Sequence, residues 1–153
     1  MRIINLAKTY FTNKQLEKFC ELFQNDYKPR CLIVFSHKWF LLLFLYLNLF
    51  NIEYWKIIFN RIEGICYPQI SLVCLYVFSE SYKDYSKSDK RLYSLHTLCH
   101  EFRHVWQFKN KFHGDKETDA DKFATSFMNN NSHVIAQIMK FKHEHDIVEI
   151  DDK

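Results

Sequence analysis

The sequence predicts one α+β domain over 1–153, in which a small antiparallel sheet packs on two consecutive helices and the core spans about 52–128. Three observations predict it. Residues 70–78 read Ile-Ser-Leu-Val-Cys-Leu-Tyr-Val-Phe, a β-branched and aromatic run that signals a strand. Residues 91–108 and 116–128 carry apolar side chains at helical spacing with no proline or glycine inside. With 153 residues, 48% apolar and 25% charged, the chain can bury a core without disulfides or a metal to staple it.

Taken in order, the first eight residues hold too short an apolar stretch for a secretory signal. Leu16, Phe19, Cys20 and Phe23 follow the i, i+3, i+4, i+7 spacing of one helical face. Thr12 or Asn13 can cap that helix, which is expected to end near Asp26, before Pro29. Cys31–Phe35 is a short β-prone run. Residues 39–50 are apolar except for Asn48 and read as a buried core helix. A spanning helix needs about 20 apolar residues. Extending the run back to Cys31 reaches that length only by including His37 and Lys38, so a membrane role for 31–50 is the competing reading. From 52 to 65 aromatic and β-branched residues accumulate until Gly64 breaks the run. Residues 79–90 form a polar loop, and Gly114 and Asp115 mark the loop between the two helices. A last amphipathic helix is expected at 132–143, then a frayed acidic end at 149–152.

Composition excludes several function classes. Gly and Pro number two each, which leaves no Gly-rich phosphate loop and no Pro-rich linker. A net charge of +3 without a basic stripe gives no reason to expect a nucleic-acid partner. The five cysteines are odd in number, lie mostly in apolar runs and form no CxxC pair. They read as reduced thiols of a cytoplasmic protein.

His100-Glu101-Phe102-Arg103-His104 is an HExxH motif. Residues i and i+4 share a helical face, so two imidazoles can converge on one metal ion. Glu101 lies beside that face, where its carboxylate can take a proton from a metal-held water. The helical context is present, since Leu92, Leu95, Leu98, Phe102 and Val105 supply an apolar stripe. A catalytic zinc usually takes a third protein ligand. His96 lies eight residues before His104, about 12 Å along the axis, too far to close the same site. The longer pattern HExxHxxGxxH needs Gly at 107 and His at 110, where this chain has Gln107 and Asn110. His113 falls in the loop. Glu117 opens the next helix, is followed four residues later by Asp121 on the same face, and is the better candidate.

Together, HExxH and Glu117-Thr118-Asp119-Ala120-Asp121-Lys122-Phe123-Ala124 resemble the gluzincin metallopeptidases over 92–124. The Glu-x-x-Ala-Asp-x-Phe-Ala form is similar to minigluzincins, to ImmA/IrrE-like proteins and to the catalytic module of HtpX-type peptidases. That resemblance implies a zincin-like fold and a zinc metallopeptidase acting on peptide or protein substrates. It implies Zn2+ ligands at His100, His104 and Glu117, a general base at Glu101, and Asp121 as the carboxylate supporting a ligand histidine. Ala120 and Ala124 would let the two helices approach closely. The 70–78 strand is expected to line the cleft and pair with an extended peptide. A competing reading keeps the fold as a non-catalytic regulatory protein, which would have no use for Glu101.

Other residues carry less. Tyr93, His96, His113 and His133 are all available to stabilise an oxyanion, and no motif selects among them. His143-Glu144-His145 reads as surface, Arg103 as a solvent or helix-pairing charge, and Trp106 as core. Cys20 or Cys31 as a thiolate gating the metal competes with their reading as buried inert thiols.

Overall fold

The structure is a computed structural model that describes residues 1–36, 63–77 and 85–141. Among these the chain runs β1 (Arg2–Asn5), α1 (Asn13–Glu21), β2 (Cys31–Phe35), β3 (Gly64–Tyr67), β4 (Leu72–Tyr76), α2 (Lys87–Lys109), α3 (Lys116–Asn130) and α4 (Ser132–Met139). The expected helix at 39–50, the 143–145 cluster and the acidic end at 149–152 lie outside the described residues.

The α+β class agrees with the sequence, but the sheet is mixed rather than antiparallel. Its order is β1-β2-β4-β3, with β1, β2 and β4 parallel and β3 alone antiparallel, paired to β4. For the β1–β2 pair the reason lies in α1. A helix between two strands carries the chain back to the starting end, so the next strand runs the same way. Strand β4 lies between β2 and β3 and is buried on both faces, which is why 70–78 reads as a largely apolar run rather than an alternating one. It starts later than expected. Ile70 and Ser71 belong to the β3–β4 turn, where Ser71 has φ 54° and its N–H donates to the Pro68 carbonyl (3.1 Å).

Helix α1 begins in a reciprocal cap. Thr12 Oγ1 accepts from Gln15 N–H (3.2 Å), and the Gln15 side chain accepts from Thr12 N–H (2.9 Å). It stops at Glu21 rather than near Asp26 because the chain then makes i→i+3 turns, Tyr27 to Gln24 and Lys28 to Asn25, each at 3.2 Å.

The core is broader than 52–128. Leu16 and Phe19 of α1, and Ile135 and Met139 of α4, join Leu32, Val34, Val73 and Leu75 from one sheet face. On the other face Phe35 and Tyr76 stack at 5.5 Å and are also buried. Among the described residues no helix is long and apolar enough to cross a membrane.

Helix α2 packs on β3, β4 and α3 and so carries the motif into the centre. It starts inside the expected loop because Ser86 and Asp89 cap each other's backbone N–H (3.2 and 3.1 Å). It ends with Lys111 in the left-handed region (φ 51°). Phe112 N–H donates to the Gln107 carbonyl (2.9 Å) and Lys111 N–H to the Phe108 carbonyl (3.3 Å), which turns the chain into α3. Asp115 then caps α3 through Thr118 N–H (3.3 Å).

Phe102, in the middle of the motif, has no exposed surface and meets Phe23 edge-on at 5.0 Å. Truncating a buried aromatic to alanine costs about 3–5 kcal/mol, and Phe102→Ala is expected to lose that much in urea unfolding. A loss below about 1 kcal/mol would contradict this packing.

Candidate metal centre

Helix α2 presents His100 and His104 one turn apart, and the start of α3 brings Glu117 against them. The two Nε2 atoms lie 2.9 Å apart. Glu117 places one carboxylate oxygen 3.3 Å from His100 Nε2 and the other 3.5 Å from His104 Nε2. His100, His104 and Glu117 are thus a group able to hold a metal ion, with one ligand atom from each within 4.8 Å of the others.

Each imidazole is fixed from behind. His100 Nδ1 sits 2.6 Å from Asp121 Oδ1, one turn beyond Glu117 on α3. The carboxylate can only accept, so Nδ1 donates and Nε2 is the nitrogen turned to the group. His104 Nδ1 meets the Gln107 side-chain oxygen at 2.8 Å. Ala120 and Ala124, at helical spacing from Glu117 and Asp121, are fully buried. Arg103 pairs helices as one of the two expected readings had it. It forms a bidentate pair with Asp119 (2.7 and 3.0 Å), donates to the Tyr27 hydroxyl (2.9 Å) and covers the Trp106 ring at 3.9 Å. That pairing holds the Asp119 carboxyl below the usual carboxylate range.

Glu101 is 7% exposed and faces a cleft of about 540 Å³. The group's three residues and Asp121 line the cleft, as do Gly64, Ile65 and Cys66 of β3. The cleft-lining strand is therefore β3, not the 70–78 strand, whose edges are both paired within the sheet. An added Cβ at Gly64 would lie 2.7 Å from Glu101 Cγ and Oε1 and 2.8 Å from Thr97 Cγ2. The strand can rest on Glu101 only because residue 64 has no side chain.

No protein-family model, curated protein or solved structure matches this chain. The functional reading therefore rests on the side chains themselves. Of the four oxyanion candidates, His96 lines the cleft, with Nε2 3.1 Å from Thr125 Oγ1, and burial pushes its pKa below the ordinary value. Tyr93, His113 and His133 do not line it. All five cysteines are free. Cys20 is on the buried face of α1, where desolvation pushes its thiol up to about 12, and neither it nor Cys31 lines the cleft.

Two residues escaped the sequence reading. Gln107 shares the face of His104 at i+3, a spacing that could have flagged it. Gly64 read as a breaker, although a chain with two glycines invites the question of what each one must approach. Gly64→Ala is expected to destabilise the fold by about 1–3 kcal/mol through overpacking, with Glu101 or β3 displaced in a crystal structure of the variant. An unchanged unfolding midpoint with Glu101 in place would contradict the close approach.

Proposed function

We propose that this chain is a zinc metallopeptidase of the gluzincin kind, hydrolysing peptide bonds with Glu101 as general base. One observation carries the reading. Two imidazole nitrogens and a carboxylate converge beside a buried glutamate, in a cleft bordered by an edge strand. The donor set fits zinc. Tetrahedral ligands at about 2.0–2.1 Å lie roughly 3.3 Å from one another, close to the separations of 2.9, 3.3 and 3.5 Å found here. Two histidines and a glutamate would leave the fourth position open, the pattern of a catalytic rather than a structural site.

When bound, zinc would polarise the scissile carbonyl and lower the pKa of a water. The chain's own residues do the rest. Glu101 takes the attacking water's proton and returns it to the departing amine, a transfer that one positioned carboxylate can perform in both directions. Gly64 and its neighbours on β3 hold that carboxylate against the cleft. Among the described residues β3 ends the sheet, so an extended peptide can add alongside it, its backbone held by main-chain hydrogen bonds.

Glu101→Gln is expected to bind zinc as wild type does while peptidase activity falls about 10²–10⁴-fold, because an amide cannot accept the proton. The comparison uses a mixed peptide library at matched zinc occupancy. Equal cleavage by both proteins would refute the mechanism. Cleavage by neither, with zinc bound, would favour the non-catalytic regulatory reading.

A further inference from the structure

Buried amides are seldom left unsatisfied, and their partners fix which way they face. Gln107 is 2% exposed, one turn past His104 on α2. One end of its amide meets two oxygens, the Lys116 carbonyl and Asp119 Oδ2, both at 2.8 Å. A carbonyl and a carboxylate only accept, so that end is the NH2 group and gives one hydrogen to each. The carbonyl end is thereby turned toward His104 Nδ1 at 2.8 Å, and it can only accept. His104 must carry a proton on Nδ1, which leaves Nε2 as the nitrogen that faces His100 and Glu117.

The orientation is secured from further out. Asp119, which takes one amide hydrogen, is gripped by both guanidinium contacts from Arg103, and Arg103 lies over Trp106. The other hydrogen goes to the carbonyl of Lys116, which begins the peptide bond leading into Glu117. We infer that Gln107 is a positioning residue that sets two of the three metal-binding side chains at once. It selects the His104 tautomer and pins the backbone that carries Glu117. Its value for metal binding rests on the metal reading above, whereas the tautomer belongs to the metal-free chain.

The partners of the two histidines therefore differ in kind. His100 is backed by a carboxylate, His104 by a neutral amide whose direction is dictated by an Arg–Asp pair. Loss of such outer partners typically lowers metal affinity about 10–100-fold, and that loss is the size expected for Gln107→Leu.

The test has two arms on the full chain. In metal-free wild type, above the ordinary histidine titration range, proton–nitrogen correlation of the imidazoles is expected to show His104 with its proton on Nδ1. Competition titration with Zn2+ is expected to show a loss of about 10–100-fold in Gln107→Leu, and the Co2+-loaded variant an altered visible spectrum. A neutral His104 whose one proton sits on Nε2, leaving Nδ1 bare, would overturn the inference. So would a folded Gln107→Leu with wild-type Zn2+ affinity and Co2+ spectrum. Should Gln107→Leu not fold, the wild-type tautomer decides alone. A wild type that takes up no Zn2+ would sink the metal reading, and the tautomer measurement would still judge the relay.

Discussion

Two imidazole nitrogens 2.9 Å apart, with carboxylate oxygens 3.3 and 3.5 Å away, make a cluster of lone pairs that repel unless a proton or a metal ion lies among them. Much of the surrounding structure keeps those lone pairs aimed inward. Asp121 and Gln107 occupy the Nδ1 positions, so neither ring can relax by flipping its donor toward the group. The small buried residues Ala120 and Ala124 leave room for α3 to bring Glu117 and Asp121 against α2. The left-handed turn at Lys111 and the Asp115 cap fix where α3 begins. A six-residue connection is thus as much a part of the site as the motif.

A second constraint acts on Glu101. A carboxylate within the body of a protein is costly unless its surroundings compensate, and its position must be held. Here β3 presses on it through a residue with no side chain, while Phe102 on the neighbouring position is locked into the aromatic core with Phe23. Arg103 does the corresponding work on the far side of the motif. Its guanidinium, bidentate to Asp119 and stacked on Trp106, joins the two helices where their charges would otherwise need water. The three consecutive residues after His100 therefore serve the cleft, the core and the helix pairing in turn.

What the sequence disclosed follows from how far each interaction reaches along the chain. Helical spacing puts His100 with His104 on one face and Glu117 with Asp121 on another, so the members of the candidate group were legible without coordinates, while the meeting of the two faces is tertiary. Strand pairing involves residues distant in sequence. The four-residue β1 carried no local signal, and the parallel order of β1, β2 and β4 could not be read from any one run. The cleft strand was misassigned for the same reason, since which strand ends a sheet is a property of the whole order. Gln107 shows in the sequence only its i+3 spacing to His104, since its other partners, the Lys116 carbonyl and Asp119, lie across the turn, and Gly64 depends on its approach to Glu101 and Thr97. Arg103 admitted two meanings until Asp119 was seen to face it.

The central claim is that His100, His104 and Glu117 bind one metal ion together. X-ray absorption on the zinc-loaded protein tests it most directly. About one zinc per chain is expected, with two imidazole nitrogens at about 2.0–2.1 Å, oxygen ligands completing the shell and no sulfur. In Glu117→Ala the protein-derived oxygen should disappear and the affinity collapse. A sulfur shell, or full zinc occupancy with unchanged ligation in Glu117→Ala, would contradict it.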